Sequence, residues 1–407
     1  MERIIVIGAG QAASSLIVKL RSLGFAGEIL LIGDEPHLPY QRPPLSKKYL
    51  GGEMPRERLL LRQAGWYEKN AVTLKLGERA VSIDRDAKSV LLADGEAIAY
   101  ESLVLTTGAR PKRFPDELGG RLAGVFMMRD LADADALSVA MGSADSLLVI
   151  GGGYIGLEAA AEAAKKGLKV TLVEAANRIL QRVAAAETAD FFRDLHRSHG
   201  VTVYEGTTTQ RLAARDSGGL DAMLGDGSTL GVDLVVVGIG IHPNSELAAE
   251  AGLVIDHGAI RVDEFGCTSD PSIYAAGDCT CLVWKGNLIR LESVQNAQDQ
   301  AVNVAHNVLG DRQPYQPEPW FWSDQYDVKL QIAGLNHGYD DVITRRGSKP
   351  GSVAHFYYRG DNLLAVDAMN DPVAYNVVKR LLASGRSLSK AAAADLGVDL
   401  KAVLQAG

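Results

Sequence analysis

The chain has 407 residues with a formal net charge of −8, 47% hydrophobic and 23% charged. That length suits two or three domains rather than one core, and an acidic balance with no basic run argues against general nucleic-acid binding. No stretch approaches the roughly 18 consecutive apolar residues of a membrane span, and a strand is predicted within three residues of Met1, so a cytoplasmic protein without leader or membrane segment is expected.

The first element is the apolar run Arg3-Ile-Ile-Val-Ile7, a buried parallel strand by pattern. It runs into Gly8-Ala-Gly10-Gln-Ala-Ala13 and a helical stretch from Ala12 to Leu23. In that context Gly8 permits the strand-to-helix turn, Gly10 lets backbone approach a pyrophosphate, and the small Ala13 lets helix pack on strand. The phosphates would rest on the helix N-terminus, where free N–H groups and the dipole favour negative charge. A second run, Glu28-Ile-Leu-Leu-Ile-Gly-Asp34-Glu35, ends in acid where a carboxylate can accept from a ribose hydroxyl, and Asp34 is the preferred candidate. Ala80–Asp84 and Ser89–Leu92 alternate as strands of an antiparallel meander lying on the sheet. Leu103-Val-Leu-Thr-Thr107-Gly108-Ala-Arg-Pro111 is expected to close that sheet and to mark a domain crossing.

The pattern then repeats. Ser146-Leu-Leu-Val-Ile150 leads into Gly151-Gly-Gly153-Tyr154-Ile155-Gly156 and a helix from Ile155 to Lys166, with Glu158 expected in its first turn, where it would complement the dipole. Lys169-Val-Thr-Leu-Val-Glu174 supplies the second acid. Ala175 and Ala176 follow it, not an arginine that would meet a 2′-phosphate, which favours NADH over NADPH, although Arg178 and Arg182 stand nearby. Leu234-Val-Val-Val-Gly238-Ile-Gly240 is expected to close the second sheet, its glycines admitting the dinucleotide. Two nucleotide sites in one chain point to a cofactor-to-cofactor enzyme. A further short strand stops at Gly277-Asp278, and from about Pro319 the composition turns aromatic, marking a third domain. The only cysteines are Cys267, Cys279 and Cys281. None lies in either glycine unit, so no disulfide relay is expected, and Cys279-Thr-Cys281 lacks a second pair to complete a metal site.

Taken together, Pro39-Tyr-Gln-Arg42-Pro-Pro-Leu-Ser-Lys47, both fingerprints, Ala276-Gly-Asp278-Cys279, Glu292-Ser-Val294 and Pro319-Trp320-Phe-Trp-Ser-Asp-Gln-Tyr326 give a chain that resembles the oxygenase-coupled NADH:ferredoxin reductases over nearly its whole length. The resemblance implies an α/β fold of two Rossmann-like nucleotide-binding domains, glutathione-reductase-like, plus a C-terminal α+β domain. The FAD-binding domain would span 1–110 and 242–318, the NAD-binding domain 111–241, and the C-terminal domain 319–407. It implies FAD contacts from Gly8, Gly10, Ala12, Ala13, Asp34, Arg42, Lys47, Ala80, Thr107, Gly108, Arg129, Asp278, Val294 and Trp320. The NADH contacts would be Gly151, Gly153, Tyr154, Ile155, Gly156, Glu158, Glu174, Gly238 and Gly240. Lys47 is expected to favour anionic reduced flavin, Glu158 to point toward the nicotinamide, and Trp320 to cover the isoalloxazine. The implied acceptor is a [2Fe–2S] ferredoxin feeding a cytochrome P450 or ring-hydroxylating oxygenase, with the protein a monomer or weak homodimer. An NADH oxidase or peroxidase would use a redox cysteine where this chain has Gln41-Arg42-Pro43-Pro44. The alternatives kept are reduction of another acceptor such as rubredoxin, and an NADH-sensing flavoprotein.

Overall fold

The computed structural model describes residues 2–347 and 349–405. In chain order, its first half carries β1 (Arg3–Ile7), α1 (Gln11–Ser22), β2 (Glu28–Gly33), β3 (Val72–Leu76), β4 (Ser102–Leu105), β5 (Val125–Phe126), β6 (Ser146–Ile150), α2 (Tyr154–Lys165), β7 (Lys169–Val173) and α3 (Ala186–Ser198). There follow β8 (Thr202–Tyr204), β9 (Leu234–Val237), β10 (Ile273–Ala275), α4 (Val294–Val308), β11 (Trp320–Gln325), β12 (Val328–Gly334), β13 (Asp341–Arg346), β14 (Val353–Arg359), β15 (Asn362–Met369) and α5 (Pro372–Ala383). The chain divides into two compact units. One gathers Met1–Gln41, Arg56–Arg110 and Ile241–Pro319; the other gathers Arg42–Pro55, Pro111–Gly240 and Trp320–Gly407.

The first unit is built on a parallel sheet of order β10-β4-β1-β2-β3. Its inner strands β1, β2 and β4 are buried on both faces because each face has its own cover. Ile4, Val6, Ile29, Leu31 and Val104 pack against α1 and α4, whose Leu16, Ile17, Ala301 and Val304 are wholly buried. Ile5, Ile7, Leu30, Ile32 and Leu103 point the other way, onto Ile83, Val90 and Ile98 of the antiparallel meander Ala80–Asp84, Ser89–Leu92 and Ala97–Ala99. Each buried Ile or Leu contributes about 1.5–3 kcal/mol, so a strand that is apolar at every position is specified from both sides.

In the second unit the parallel sheet has the order β5-β9-β6-β7-β8. The internal repeat is therefore topological as well as sequential: β1 and β6 are both central, and each runs into a glycine turn and a helix. The Leu103 and Leu234 runs do not form sheet margins as expected. β4 and β9 lie one strand in, and the short strands β10 and β5 pair outside them. The second unit also holds an antiparallel sheet of order β11-β12-β15-β14-β13, with α5 packed on it through Val377, Val378 and Leu381. Among the described residues, no helix is long and apolar enough to cross a membrane.

Candidate functional site

In the first unit, β1 runs into Gly8, whose φ of +105° is open to glycine, and a Cβ there would fall 2.3 Å from the Thr106 carbonyl oxygen. Gly10 differs. Its backbone is extended, at φ −106° and ψ −158°, and no protein atom lies within 4 Å of the Cβ it lacks. The protein itself gives no steric reason for glycine at that position, so the reason belongs to something that approaches it. α1 starts one residue later with no side-chain cap and no acid in its first turn, leaving its N–H groups and positive dipole end to a ligand.

Several of the other first-unit candidates lie beside this turn. Ala12 and Ala13 are buried beneath it, and a Cβ on Gly277 would lie 3.4 Å from that of Ala12, which puts the Gly277-Asp278 turn beside the fingerprint. Gln300, on α4, holds that turn, its Oε1 accepting from the Gly277 N–H at 2.9 Å and from Thr280 Oγ1 at 3.1 Å. Asp34 is exposed where β2 ends, and Gly33 just before it leaves only 2.6 Å between a would-be Cβ and Ala9. Glu35 instead accepts from the Tyr40 hydroxyl at 2.5 Å. Thr107 is clasped by Asn244: its Oγ1 donates to the Asn244 carbonyl at 2.6 Å, and the Asn244 N–H donates to Gly108 O at 2.9 Å. Ala80 opens the meander. Val294 is the first residue of α4, capped by Ser293, whose Oγ accepts from the Asn296 N–H.

The second unit repeats the glycine turn. Gly151 has φ +105°, and a Cβ on Gly156 would collide with the Gly151 carbonyl oxygen at 2.2 Å, so helix and turn touch backbone to backbone. α2, capped by the extended Gly153, again lacks a side-chain cap and a first-turn acid. Ile155 in that turn is 43% exposed, an apolar side chain held out where a nucleotide would lie. Glu174 accepts from the Gly152 N–H at 2.6 Å and from the Ala176 N–H at 2.7 Å, which ties the acid to the turn and leaves it further lone pairs. Gly238 donates to Ile150 O, and the carbonyl of Gly240, at φ +108°, accepts from Lys112 N. Arg178 is turned onto the Ala185 carbonyl at 3.3 Å.

Glu158 corrects an expectation. α2 begins at Tyr154, so Glu158 is its fifth residue and lies in the second turn, beyond the capping range of the dipole. It is 1% exposed, and both of its carboxylate oxygens accept hydrogen bonds. Lys47 Nζ donates to Oε2 at 2.7 Å, Ser46 Oγ donates to the same oxygen at 2.6 Å, and Ser323 Oγ donates to Oε1 at 2.6 Å. The proline run makes this possible, because Pro43–Ser46 is a single 3₁₀ turn that presents Ser46 and Lys47 together. Arg42, just before it, donates from Nη1 to the Arg129 carbonyl at 3.1 Å. Such a buried pair stands because each charge is matched and hydrogen-bonded.

Trp320 lies on the other face of β11. Its ring is 5.6 Å from that of Trp322 and 6.4 Å from Tyr375, with Lys379 Nζ 4.8 Å above it. Phe321, Ser323 and Gln325 share the face toward α2 and α3, with the Phe321 ring 4.8 Å from Tyr154. Ser46, Ser323, Gln325, Asn244 and Gln300 escaped notice in the sequence. For Ser323 and Gln325 a signal existed, since they alternate with the tryptophans at strand period. The two uncapped helix starts, the empty space over Gly10 and the acids beyond each turn fit a dinucleotide in each unit.

The sequence profile of the pyridine nucleotide-disulphide oxidoreductases matches residues 2–301, and that of the reductase C-terminal domain matches residues 320–404. Rhodocoxin reductase of Rhodococcus erythropolis is 44% identical over 400 residues, spanning 98% of this chain and 93% of that protein. The ferredoxin reductase for the CYP199A2 system from Rhodopseudomonas palustris superposes with a TM-score of 0.95 at 41% identity, covering 99% of this chain and 100% of that one. The reductase in a covalent putidaredoxin reductase–putidaredoxin complex also gives 0.95, at 38% identity over 100% of this chain and 98% of the other.

Proposed function

The chain belongs to the pyridine nucleotide-disulphide oxidoreductase family and carries its reductase C-terminal domain, and from that premise we propose that it is an FAD-dependent NADH:ferredoxin reductase whose [2Fe–2S] acceptor feeds a cytochrome P450 or ring-hydroxylating oxygenase. The observation that carries this reading is the pair of uncapped, glycine-opened helices on two parallel sheets of equivalent topology. They offer two dinucleotide sites, and the relatives that match over nearly the whole chain include reductases of rhodocoxin, of putidaredoxin and of a P450 system, with a rubredoxin-NAD(+) reductase among them as well. The three cysteines are free: Cys279 and Cys281 are buried, Cys267 is half-buried, and desolvation holds all three thiols up, Cys267 to about 11, so none is a reactive thiolate. A cytoplasmic site of action is part of the same proposal.

Bound FAD supplies the conversion between two-electron hydride chemistry and one-electron transfer. The protein's part is binding and electrostatics. The N-terminus of α1 and the Gly277-Asp278 turn hold the FAD pyrophosphate and ribityl, Asp34 takes the adenosine ribose, and Ala80, Thr107 and Gly108 line the same cofactor. For Arg42, Arg129 and Lys47 the resemblance implies cationic roles toward the same cofactor, with Lys47 toward its ring, and the dipole at Val294 would favour negative charge in the same sense. For NADH, the N-terminus of α2 takes the pyrophosphate, Glu174 takes the ribose, Ile155 covers the nucleotide, and Gly238 and Gly240 admit the nicotinamide arm. For Trp320, which packs on Tyr375 and Lys379 on the α5 side of β11, the covering role is what the resemblance implies. Glu174 followed by Ala175 favours NADH, because a 2′-phosphate would meet a carboxylate.

The test is anaerobic NADH-driven reduction of a panel of [2Fe–2S] ferredoxins, with rubredoxin, NADPH and acceptor-free controls. Fast reduction of one ferredoxin, with NADH preferred, is the expected result. Flavin bleaching by NADH with no transfer to any ferredoxin would remove the acceptor from this reading, and transfer to rubredoxin alone would replace it.

A further inference from the structure

Beyond the Lys47–Glu158 pair, a line of hydrogen bonds runs from the carboxylate through the C-terminal sheet into α3, all within the second unit. Ser323 has one hydroxyl proton and gives it to Glu158 Oε1 at 2.6 Å. It is wholly buried, and it accepts in turn from Gln325 Nε2 at 3.2 Å. Gln325 Oε1 faces His196 Nε2 at 2.8 Å, which fixes the imidazole proton on Nε2. His196 Nδ1 is then the acceptor for the Tyr326 hydroxyl at 3.4 Å. Burial holds His196 neutral, its pKa lowered to about 4, so the ring carries one proton only. The direction of every bond follows from the carboxylate end. An anion can only accept, so Ser323 must donate to it, and each group behind Ser323 is forced to donate forward. Every dipole in the line points its positive end at Glu158, and such aligned bonds polarise one another.

We propose that Ser323, Gln325 and His196 are positioning residues for the Lys47–Glu158 pair: they hold Glu158 Oε1 and draw off part of its charge, so that Lys47 keeps more of its own charge for the flavin. This rests on the reading that Lys47 faces the FAD ring. Without Ser323's proton the carboxylate leans wholly on its Oε2 donors. It then compensates Lys47 more completely, and the anionic reduced flavin loses support. The flavin potential therefore falls.

The test is the FAD midpoint potential of the holoenzyme, measured by anaerobic dye-coupled titration for wild type, Lys47→Met, Ser323→Ala, Ser323→Thr and Gln325→Met. In Ser323→Ala the reduction equilibrium is expected to shift about tenfold toward oxidised FAD, about 30 mV for a two-electron couple. Ser323→Thr restores the hydroxyl and stays within about threefold of wild type, and Gln325→Met shifts less than Ser323→Ala, in the same direction. A wild-type potential in Ser323→Ala, with Lys47→Met displaced, overturns the proposal and leaves the functional reading intact. Equal shifts in the Ala and Thr variants also overturn it, since the cause is then volume and not the hydrogen bond. An unmoved potential in Lys47→Met overturns the placement of Lys47 and the proposal together. Should Ser323→Ala fail to hold FAD, Gln325→Met decides: a fall supports the line, and no change sinks it.

Discussion

In the proposed NADH site Glu174 would perform two tasks with one carboxylate. It accepts from the N–H groups of Gly152 and Ala176 and keeps lone pairs for a ribose. Charge-assisted bonds of this kind contribute about 1.5–3 kcal/mol each, so Glu174→Ala loosens the turn and removes the ribose acceptor. The KM for NADH is expected to rise about 10- to 100-fold with kcat kept within a few-fold, and Ala175→Arg added to it should turn preference toward NADPH. Steady-state kinetics with both coenzymes checks this, and an unchanged NADH/NADPH ratio would take Glu174 out of the coenzyme site. Gly10 and Gly156 separate two reasons for glycine. Gly10→Ala meets no protein atom and needs no unusual backbone, so the apo fold should melt within about 1 kcal/mol of wild type while FAD retention is lost. Gly156→Ala drives a Cβ into the Gly151 carbonyl at 2.2 Å and should cost folding stability itself. Melting curves of apo protein beside the FAD-to-protein ratio distinguish the two, and a Gly10→Ala enzyme with full FAD would deny that the cofactor passes over this residue.

At the scale of elements, α3 is fastened to the C-terminal sheet by buried polar groups that respond to pH. Thr188 Oγ1 lies 2.8 Å from both His355 Nδ1 and Asp367 Oδ2, and Tyr357 donates to the same carboxylate oxygen. Burial lowers His355 and His196 to about 4 and raises Asp367 to about 6. The histidines take protons in the unfolded chain before the folded one, so their contribution to stability is lost as pH falls from 6.5 toward 4. Asp367 acts in the opposite sense, because the folded state binds its proton first between pH 6 and 3.8. Asp367→Asn removes the opposing contribution, and its melting temperature should drop more steeply than wild type from pH 6 to pH 4.5. Parallel curves would show that Asp367 does not carry the raised pKa. None of this network was legible beforehand, because Thr188 and Asp367 are 179 positions apart and neither belongs to a motif. β1, β6 and their glycine turns were legible because a strand buried on both faces and the turn that ends it are written in consecutive residues. Glu158 falls between the two cases. Its place on α2 followed from the fingerprint, but its turn was misjudged because the extended Gly153 makes Tyr154 the first helical residue. Its partners Ser46 and Ser323 come from distant segments brought together only by folding.

For the whole molecule, charge decides how an electron acceptor is met. The chain carries −8, so an acceptor that is itself acidic would be repelled at long range and would need a local basic patch to dock. These two effects screen differently. The Debye length is about 30 Å at 0.01 M salt and about 10 Å at 0.1 M, so moderate salt removes repulsion between net charges while ion pairs at contact distance persist. Higher salt then weakens the contact pairs as well. The second-order rate of ferredoxin reduction by NADH-reduced enzyme should therefore rise from about 10 mM salt, pass a maximum near 0.1 M and fall beyond it. Stopped-flow measurement across that range gives the profile directly. A rate that only rises would mean that no attractive charges meet at contact and would deny the basic patch. A rate that falls from the lowest salt onward would mean that the local patch outweighs the net charge even at long range, so that the acidic balance of the chain has no part in choosing its partner.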